Sequence, residues 1–247
     1  MKLLLLQARK KGDPAAIHER SAFARVVGLD TRHIVPWDLL AGPPPKSELT
    51  SSDCILVGGS GDFSVSDAAD QGWIRQFIDA AGDLTSMGVP VFASCFGFQA
   101  FVVGFGGRVE TNKSNAEFGT FELTVSEAGA RDDLFREVAP RFYAQFGHAD
   151  HAAALPSIFV NLASSERNEY QAATIPGKDV YMTQFHPELS MEANRERAFM
   201  YLDSYAQAGF VDSFDDVMDN FRESPESSAL LTRFVRGHLG LGATPKA

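Results

Sequence analysis

The chain opens on an unbroken apolar run, Leu3-Leu4-Leu5-Leu6, between Lys2 and Gln7-Ala8-Arg9. A run this short predicts a buried strand over Lys2–Leu6, and it is too short for a signal-peptide core or a membrane span. Helical composition follows over Ala15–Val27, then a short strand at Arg32–Val35. Asp53–Val57 is a strand that ends in the tight turn Gly58-Gly59. Asp67–Ala81 sets Trp73, Phe77 and Ile78 at helical spacing, and Val89–Ala93 is again strand-like. This alternation predicts a largely parallel sheet covered by helices.

The middle of the chain reads as strands at Arg108–Glu110, Thr120–Val125, Arg141–Gln145, Ile158–Ala163, Tyr170–Ile175 and Val180–Phe185. Pro140, Pro156 and Pro176-Gly177 punctuate them. The last third is helical. Glu192–Ala208 carries Phe199, Met200, Leu202 and Tyr205 on an expected core stripe. Phe210–Phe221 pairs an apolar stripe of Phe210, Phe214, Val217, Met218 and Phe221 with the acids Asp212, Asp215, Asp216 and Asp219, which are expected to face water. Ser227–Leu239 forms a final helix. Gly42-Pro43-Pro44-Pro45 reads as a stiff turn inside the domain. The expected organisation is one α/β domain over residues 1–208, with 209–247 as a helical C-terminal extension of the same domain.

Composition narrows the class. The 247 residues are 45% hydrophobic and 22% charged, as in a soluble globular protein that can bury a large core. A formal net charge of −10 argues against a nucleic-acid partner or an anionic membrane surface. Two cysteines, Cys54 and Cys95, are too few for a disulfide framework, and no closely spaced Cys or His set suggests a metal. No targeting signal is read, so a reducing, cytoplasmic compartment is expected, with no cofactor.

Chemistry concentrates at Val89-Pro90-Val91-Phe92-Ala93-Ser94-Cys95-Phe96-Gly97-Phe98-Gln99. An apolar strand runs into small residues, a cysteine and a helix start. That is the pattern of a nucleophile elbow, which lifts a side chain above a sheet edge at a helix N-terminus, where the dipole favours negative charge. The competing reading is a buried cysteine acting as a small hydrophobe; for Cys54, inside Asp53–Val57, that reading is preferred. His186 stands at the end of the Val180–Phe185 strand, with Pro187 stopping the strand and Glu188 two residues on. A carboxylate there can hold the far imidazole nitrogen.

Ser94-Cys95-Phe96-Gly97-Phe98-Gln99, followed far downstream by Gln184-Phe185-His186-Pro187-Glu188, resembles the class I glutamine amidotransferase family. Leu56-Val57-Gly58-Gly59-Ser60 resembles its glycine-rich oxyanion strand. Phe105–Val109, Glu117-Phe118-Gly119, His148-Ala149-Asp150 with Leu155-Pro156, and Leu162–Ser165 resemble further family segments in the same order. Within the family, the chain is similar to free-standing domains like the glutaminase domain of GMP synthase.

The resemblance implies a flavodoxin-like three-layer α/β fold. It implies a Cys95–His186–Glu188 triad, oxyanion donors at the Gly59 and Phe96 backbone N–H groups, and Gln99 on the substrate side. His148 is expected as a hydrogen-bonded loop anchor without a carboxylate partner, and His151 as its solvated neighbour. Ala93 stands where the family usually has glycine, Phe98 where histidine is frequent, and Gln145-Phe146-Gly147 lacks a usual serine; Phe96 and Phe98 are expected to make the pocket wall apolar. The implied activity is hydrolysis of a γ-glutamyl amide, with glutamine as the expected small-molecule substrate. The residues after Ser190 are too few for an ATP-using domain, so ammonia transfer would need a separate synthetase. The alternatives are a stand-alone γ-glutamyl peptidase acting on peptides or conjugates, and a non-catalytic binding protein on the same fold.

Overall fold

The computed structural model describes residues 1–209 and 214–242. Its strands are β1 (Leu3–Gln7), β2 (Ile34–Asp38), β3 (Cys54–Val57), β4 (Val91–Ser94), β5 (Arg108–Thr111), β6 (Glu117–Val125), β7 (Arg141–His148), β8 (Asp150–Ala154), β9 (Val160–Ser164), β10 (Ala172–Thr174) and β11 (Val180–Thr183). Its helices are α1 (Pro14–Val27), α2 (Lys46–Thr50), α3 (Gly72–Ser86), α4 (Phe96–Gly104), α5 (Met191–Gln207), α6 (Phe214–Asp219) and α7 (Pro225–His238).

Nine strands form one sheet in the order β2-β1-β3-β4-β11-β10-β9-β6-β7, and β5 pairs with β8 apart from it. The run β2-β1-β3-β4-β11 is parallel, and the remaining pairings are antiparallel. The parallel half has the strand order of flavodoxin-like folds, in which ligands sit beyond the carboxyl ends of the strands. That edge carries Gly58-Gly59 after β3, Cys95 after β4 and His186 after β11.

The four leucines of β1 are all buried, yet they serve two cores. Leu4 and Leu6 pack with Ile74, Phe77 and Ile78 of α3 and Phe98 and Phe101 of α4. Leu3 and Leu5 pack with Phe23 and Val27 of α1 and Leu230, Leu231 and Phe234 of α7. Successive strand side chains face opposite ways, so burial on both faces needs a continuous apolar run. Cys54 lies fully buried in the second core, as expected of a packing residue.

Local chemistry sets the helix ends. Asp13 accepts from Ala15 N at 2.8 Å and Pro14 occupies the first turn of α1, while Gly28 closes it in a left-handed conformation. The helix expected over Asp67–Ala81 begins later. A short 3-10 turn at Val65–Ala69, capped by Ser64 and Asp67, precedes α3. β8 and α2 had no counterpart in the sequence reading. The second strand falls at Ile34–Asp38 rather than Arg32–Val35, because Asp30 caps a 3-10 turn at Thr31–His33.

The expected core stripe of α5 is corrected. Phe199 is 58% exposed and Met200 39%, whereas Ala193, Asn194, Arg197 and Tyr201 face inward; Tyr205 is half-buried and packs on Phe118 at 4.7 Å. This helix backs a polar site rather than an apolar core. On α6, Val217 is buried and Met218 half-buried, and Asp215 and Asp219 are exposed. Phe210 and Asp212, and the side chains of Leu202, Phe214 and Asp216, lie outside the described residues. α7 is part of the main body: Phe234 meets Phe92 of β4 edge-on at 5.4 Å and Tyr181 of β11 at 5.6 Å.

Candidate active site

Cys95 joins β4 to α4 with φ 51° and ψ −105°, and it is the one non-glycine residue with positive φ among those described. Such a conformation is costly and persists where its surroundings hold it. Cys95 N donates to Thr183 O of β11 at 2.7 Å, which ties the elbow to the neighbouring strand. Gly97 lets α4 settle: a β-carbon there would lie 2.8 Å from Val57 Cγ1 and 3.1 Å from Ala93 Cβ. Ala93 is small enough to keep this packing where the family usually has glycine.

His186 follows β11 and is anchored by its N–H to Gln145 O at 2.9 Å. Its Nδ1 lies 2.8 Å from Glu188 Oε1, and the ring and the Cys95 side chain meet at Gly59, where a β-carbon would lie 2.7 Å from His186 Cε1 and 3.5 Å from Cys95 Cβ. Nδ1–H therefore donates to the carboxylate, and Nε2 is left to the sulfur. Burial alone would push the imidazole down, but the Glu188 carboxylate and the Cys95 sulfur outweigh it and raise it to about 9. Burial pushes the Glu188 carboxyl up, but His186 and Arg197 outweigh it and bring it down to about 2. At neutral pH the His186 ring is therefore held in its protonated form.

Two backbone N–H groups beside Cys95 are candidate donors for an oxyanion. Gly58 N–H is spent on Leu6 O at 3.1 Å. Gly59 is the residue that faces the cysteine, since a β-carbon on it would lie 3.5 Å from Cys95 Cβ. Phe96 is the first residue of α4, whose first N–H groups have no intrahelical acceptor. These backbone groups can hold negative charge on a carbonyl oxygen above the sulfur.

An open cleft of about 280 Å³ lies over Cys95, Phe96 and Gln99, with Asp62, Asp67 and Asp150 on its walls. A smaller cavity of about 30 Å³ lies beside it and is lined by His186, Arg9, Arg197 and Tyr205. Gln99 is buried; its Nε2 donates to Asp150 O at 2.9 Å and to Gln184 Oε1 at 3.2 Å. Phe96 lines the cleft, but Phe98 is fully buried in the core against α3, which corrects the expectation of two apolar cleft residues.

The expectations for His148 and His151 are corrected, and two buried arginines join the site that the sequence does not announce. His148 ends strand β7 rather than sitting in a loop, and it has a carboxylate partner: Nε2 lies 3.0 Å from Glu117 Oε2 and Nδ1 lies 2.8 Å from Asp150 O. Ser165, Asn168 and Gln171 also donate to Glu117; His148, Ser165 and Gln171 outweigh burial and lower its carboxyl. His151 is buried on β8 rather than solvated, and burial and the nearby His148 lower its imidazole. Arg9 pairs with Glu19 at 2.7 Å and donates to Tyr201 Oη at 2.8 Å. Arg197 Nη1 lies 3.3 Å from Glu188 Oε1. Among the described residues no three His, Cys, Asp or Glu side chains form a metal-holding group.

The family model of glutamine amidotransferase class-I matches residues 25–201. The chain belongs to the class I glutamine amidotransferases. The glutamine-hydrolyzing GMP synthase subunit of Methanosarcina mazei is 35% identical over 112 residues, which is 45% of this chain and 57% of that protein. Its counterpart in Methanoregula boonei is 29% identical over 167 residues, 67% of this chain and 82% of that protein. The chain thus spans just over half of the M. mazei relative. The crystal structure of a glutamine amidotransferase from Thermotoga maritima superimposes with a TM-score of 0.75 at 16% identity, over 97% of this chain and 98% of that one. This class I chain therefore shares its fold with that structure over nearly its whole length. No helix among the described residues is long and apolar enough to cross a membrane.

Proposed function

We propose that the chain hydrolyses the side-chain amide of glutamine through a γ-glutamyl thioester on Cys95. The observation that carries this reading is the strained elbow of Cys95 against His186, whose other nitrogen is held by Glu188 at 2.8 Å. The sulfur attacks the amide carbon, and a C–S bond forms as the carbonyl π pair moves onto oxygen. The Gly59 and Phe96 N–H groups would hold that oxyanion. His186 gives its proton to the departing nitrogen, the C–N bond breaks, and ammonia leaves. The neutral ring then takes a proton from water, the hydroxide adds to the thioester, and the C–S bond breaks to release glutamate.

Two features support an amino-acid amide. The acids Asp62, Asp67 and Asp150 on the cleft suit a substrate that carries an ammonium group. The cavity beside His186, about 30 Å³, suits a small leaving group. Relatives bear the name of a glutamine-hydrolyzing GMP synthase subunit, and we extend the proposal to ammonia delivery to a separate synthetase chain in a cytoplasmic setting.

The test is turnover by the isolated protein on glutamine, γ-glutamyl amines and glutathione conjugates, read as released glutamate and ammonia. Glutamate and ammonia from glutamine, lost in Cys95→Ala, is the expected result. Efficient hydrolysis of γ-glutamyl peptides with none of glutamine would replace this reading with a stand-alone γ-glutamyl peptidase.

A further inference from the structure

We propose that Arg197 is a positioning residue of this site, a permanent countercharge that keeps Glu188 ionised while His186 gives up and regains its proton. The proposal rests on the Cys95–His186–Glu188 reading above. Arg197 lies on the inward face of α5 and its side chain is 7% exposed. Nη1 lies 3.3 Å from Glu188 Oε1, the same oxygen that accepts from His186 Nδ1 at 2.8 Å. The second carboxylate oxygen, Oε2, is buried and has no partner among the described residues. Both cations therefore converge on one oxygen.

The other end of the guanidinium is fixed. Nη2 lies 3.3 Å from His18 Nδ1, and His18 Nε2 lies 3.3 Å from Glu196 Oε2. Arginine only donates, so His18 accepts at Nδ1 and gives its Nε2–H to Glu196. His18 is thereby a neutral brace, and burial and Arg197 lower its imidazole. The charged and titratable groups that face Arg197 are Glu188 from the turn after β11, His18 from α1, and, around the small cavity, His186, Arg9, Tyr201 and Tyr205.

The chemistry gives this arrangement a purpose. When His186 passes its proton to the leaving nitrogen, Glu188 would be left as a lone buried anion, which is costly. Glu188 would then hold the proton on the ring and slow its transfer. A guanidinium cannot deprotonate, so Arg197 leaves a neutral Glu188–Arg197 pair at that stage and releases the ring from its partner's pull. An arginine that merely tethered α5 would change stability and leave the proton inventory of His186 alone.

The test is the pH profile of Cys95 alkylation by iodoacetamide, with the kcat profile on glutamine beside it, in wild type, Arg197→Met and Arg197→Lys. In Arg197→Met the ionisation of His186 should move up by about one pH unit, and kcat near neutrality should fall roughly tenfold with KM little changed. Arg197→Lys should restore most of both, because it keeps the charge. In a Glu188→Gln background Arg197→Met should add no further shift. Arg197→Gln replaces Met where the Met variant does not fold. An unmoved profile, or an equal shift with and without Glu188, overturns the proposal. The alkylation profile reads His186 whatever the substrate, so a wild-type protein inert toward glutamine would refute the substrate reading and leave this test standing.

Discussion

Gly59 and His186 stand so close that a β-carbon on the glycine would lie 2.7 Å from the imidazole Cε1. The turn after β3 and the strand end after β11 therefore share one volume, and only a residue without a side chain fits between the ring and the candidate oxyanion donor. Gly59→Ala should push the ring off the sulfur and tilt the backbone N–H. The expected loss in kcat is about 10²–10³-fold, with a far-ultraviolet spectrum like wild type. Wild-type turnover in Gly59→Ala would remove Gly59 from the site.

The two cysteines should behave differently. Cys95→Ala is expected to abolish hydrolysis and leave the melting temperature near wild type. Cys54→Ala should keep activity and lose about 1 kcal/mol through a small cavity beneath β3. Burial raises the Cys54 thiol above its ordinary range, so a glutamine-like electrophile should label Cys95 and spare Cys54. Mass spectrometry of the labelled peptides checks this, and the reverse pattern would move the nucleophile.

Cys95 and His186 should act as a unit. Removing either is expected to cost nearly as much as removing both, because neither works without the other. Glu188→Gln should be milder, since the amide can still hold Nδ1. Additive losses in a double-mutant cycle would separate the two residues.

The pH dependence of stability follows from the same pair. His186 titrates near 9 in the fold against an ordinary 6.5. Its contribution is full below pH 6.5 and is lost as pH rises through 9. Glu188 titrates near 2 against an ordinary 4.5, so its contribution is full above pH 4.5 and is lost as pH falls through 2. The pair therefore contributes most between pH 4.5 and 6.5. Thermal melts of wild type and His186→Gln should differ most in that window and converge toward pH 9. A difference that stays constant from pH 6.5 to 9 would count against the pairing.

Loss of the C-terminal helices should be severe. α7 buries Leu230, Leu231, Phe234 and Val235. At about 2 kcal/mol for each side chain, truncation after Gln207 removes stability on the order of 8 kcal/mol, comparable to that of a whole domain. Light scattering and melting of the truncated chain should report aggregation or unfolding. Phe234→Ala alone should cost about 3–5 kcal/mol. A soluble, equally stable truncation would contradict the burial.

Legibility in the sequence followed sequence distance. The elbow at Cys95 and the His186-Pro187-Glu188 turn are local, so their residue types and spacing announce them. The parallel half of the sheet was equally readable, because strands buried on both faces are continuous apolar runs such as Leu3–Leu6. The polar scaffolding was not readable, because its partners meet only in three dimensions. Glu117 finds His148 across the β6–β7 pairing, and Glu188 finds Arg197 from the next helix. The α5 stripe was misassigned for a related reason. Apolar periodicity marks a buried face only where the helix packs on a core, and here Asn194, Arg197 and Tyr201 take the inward side.

The placement of α7 also bears on how the protein is made. Phe92 and Tyr181 rest against Phe234, and these strand residues precede it in the chain. A ribosome releases β1, β3, β4 and β11, with Cys95 and His186 between and beyond them, before residues 225–238 have emerged. The nascent chain thus holds every residue of the site while the part of one apolar face that α7 covers is still open. Until residues 225–238 are added, each nascent molecule is in the aggregation-prone state expected of the truncated chain, and the site is completed only when the last helix docks.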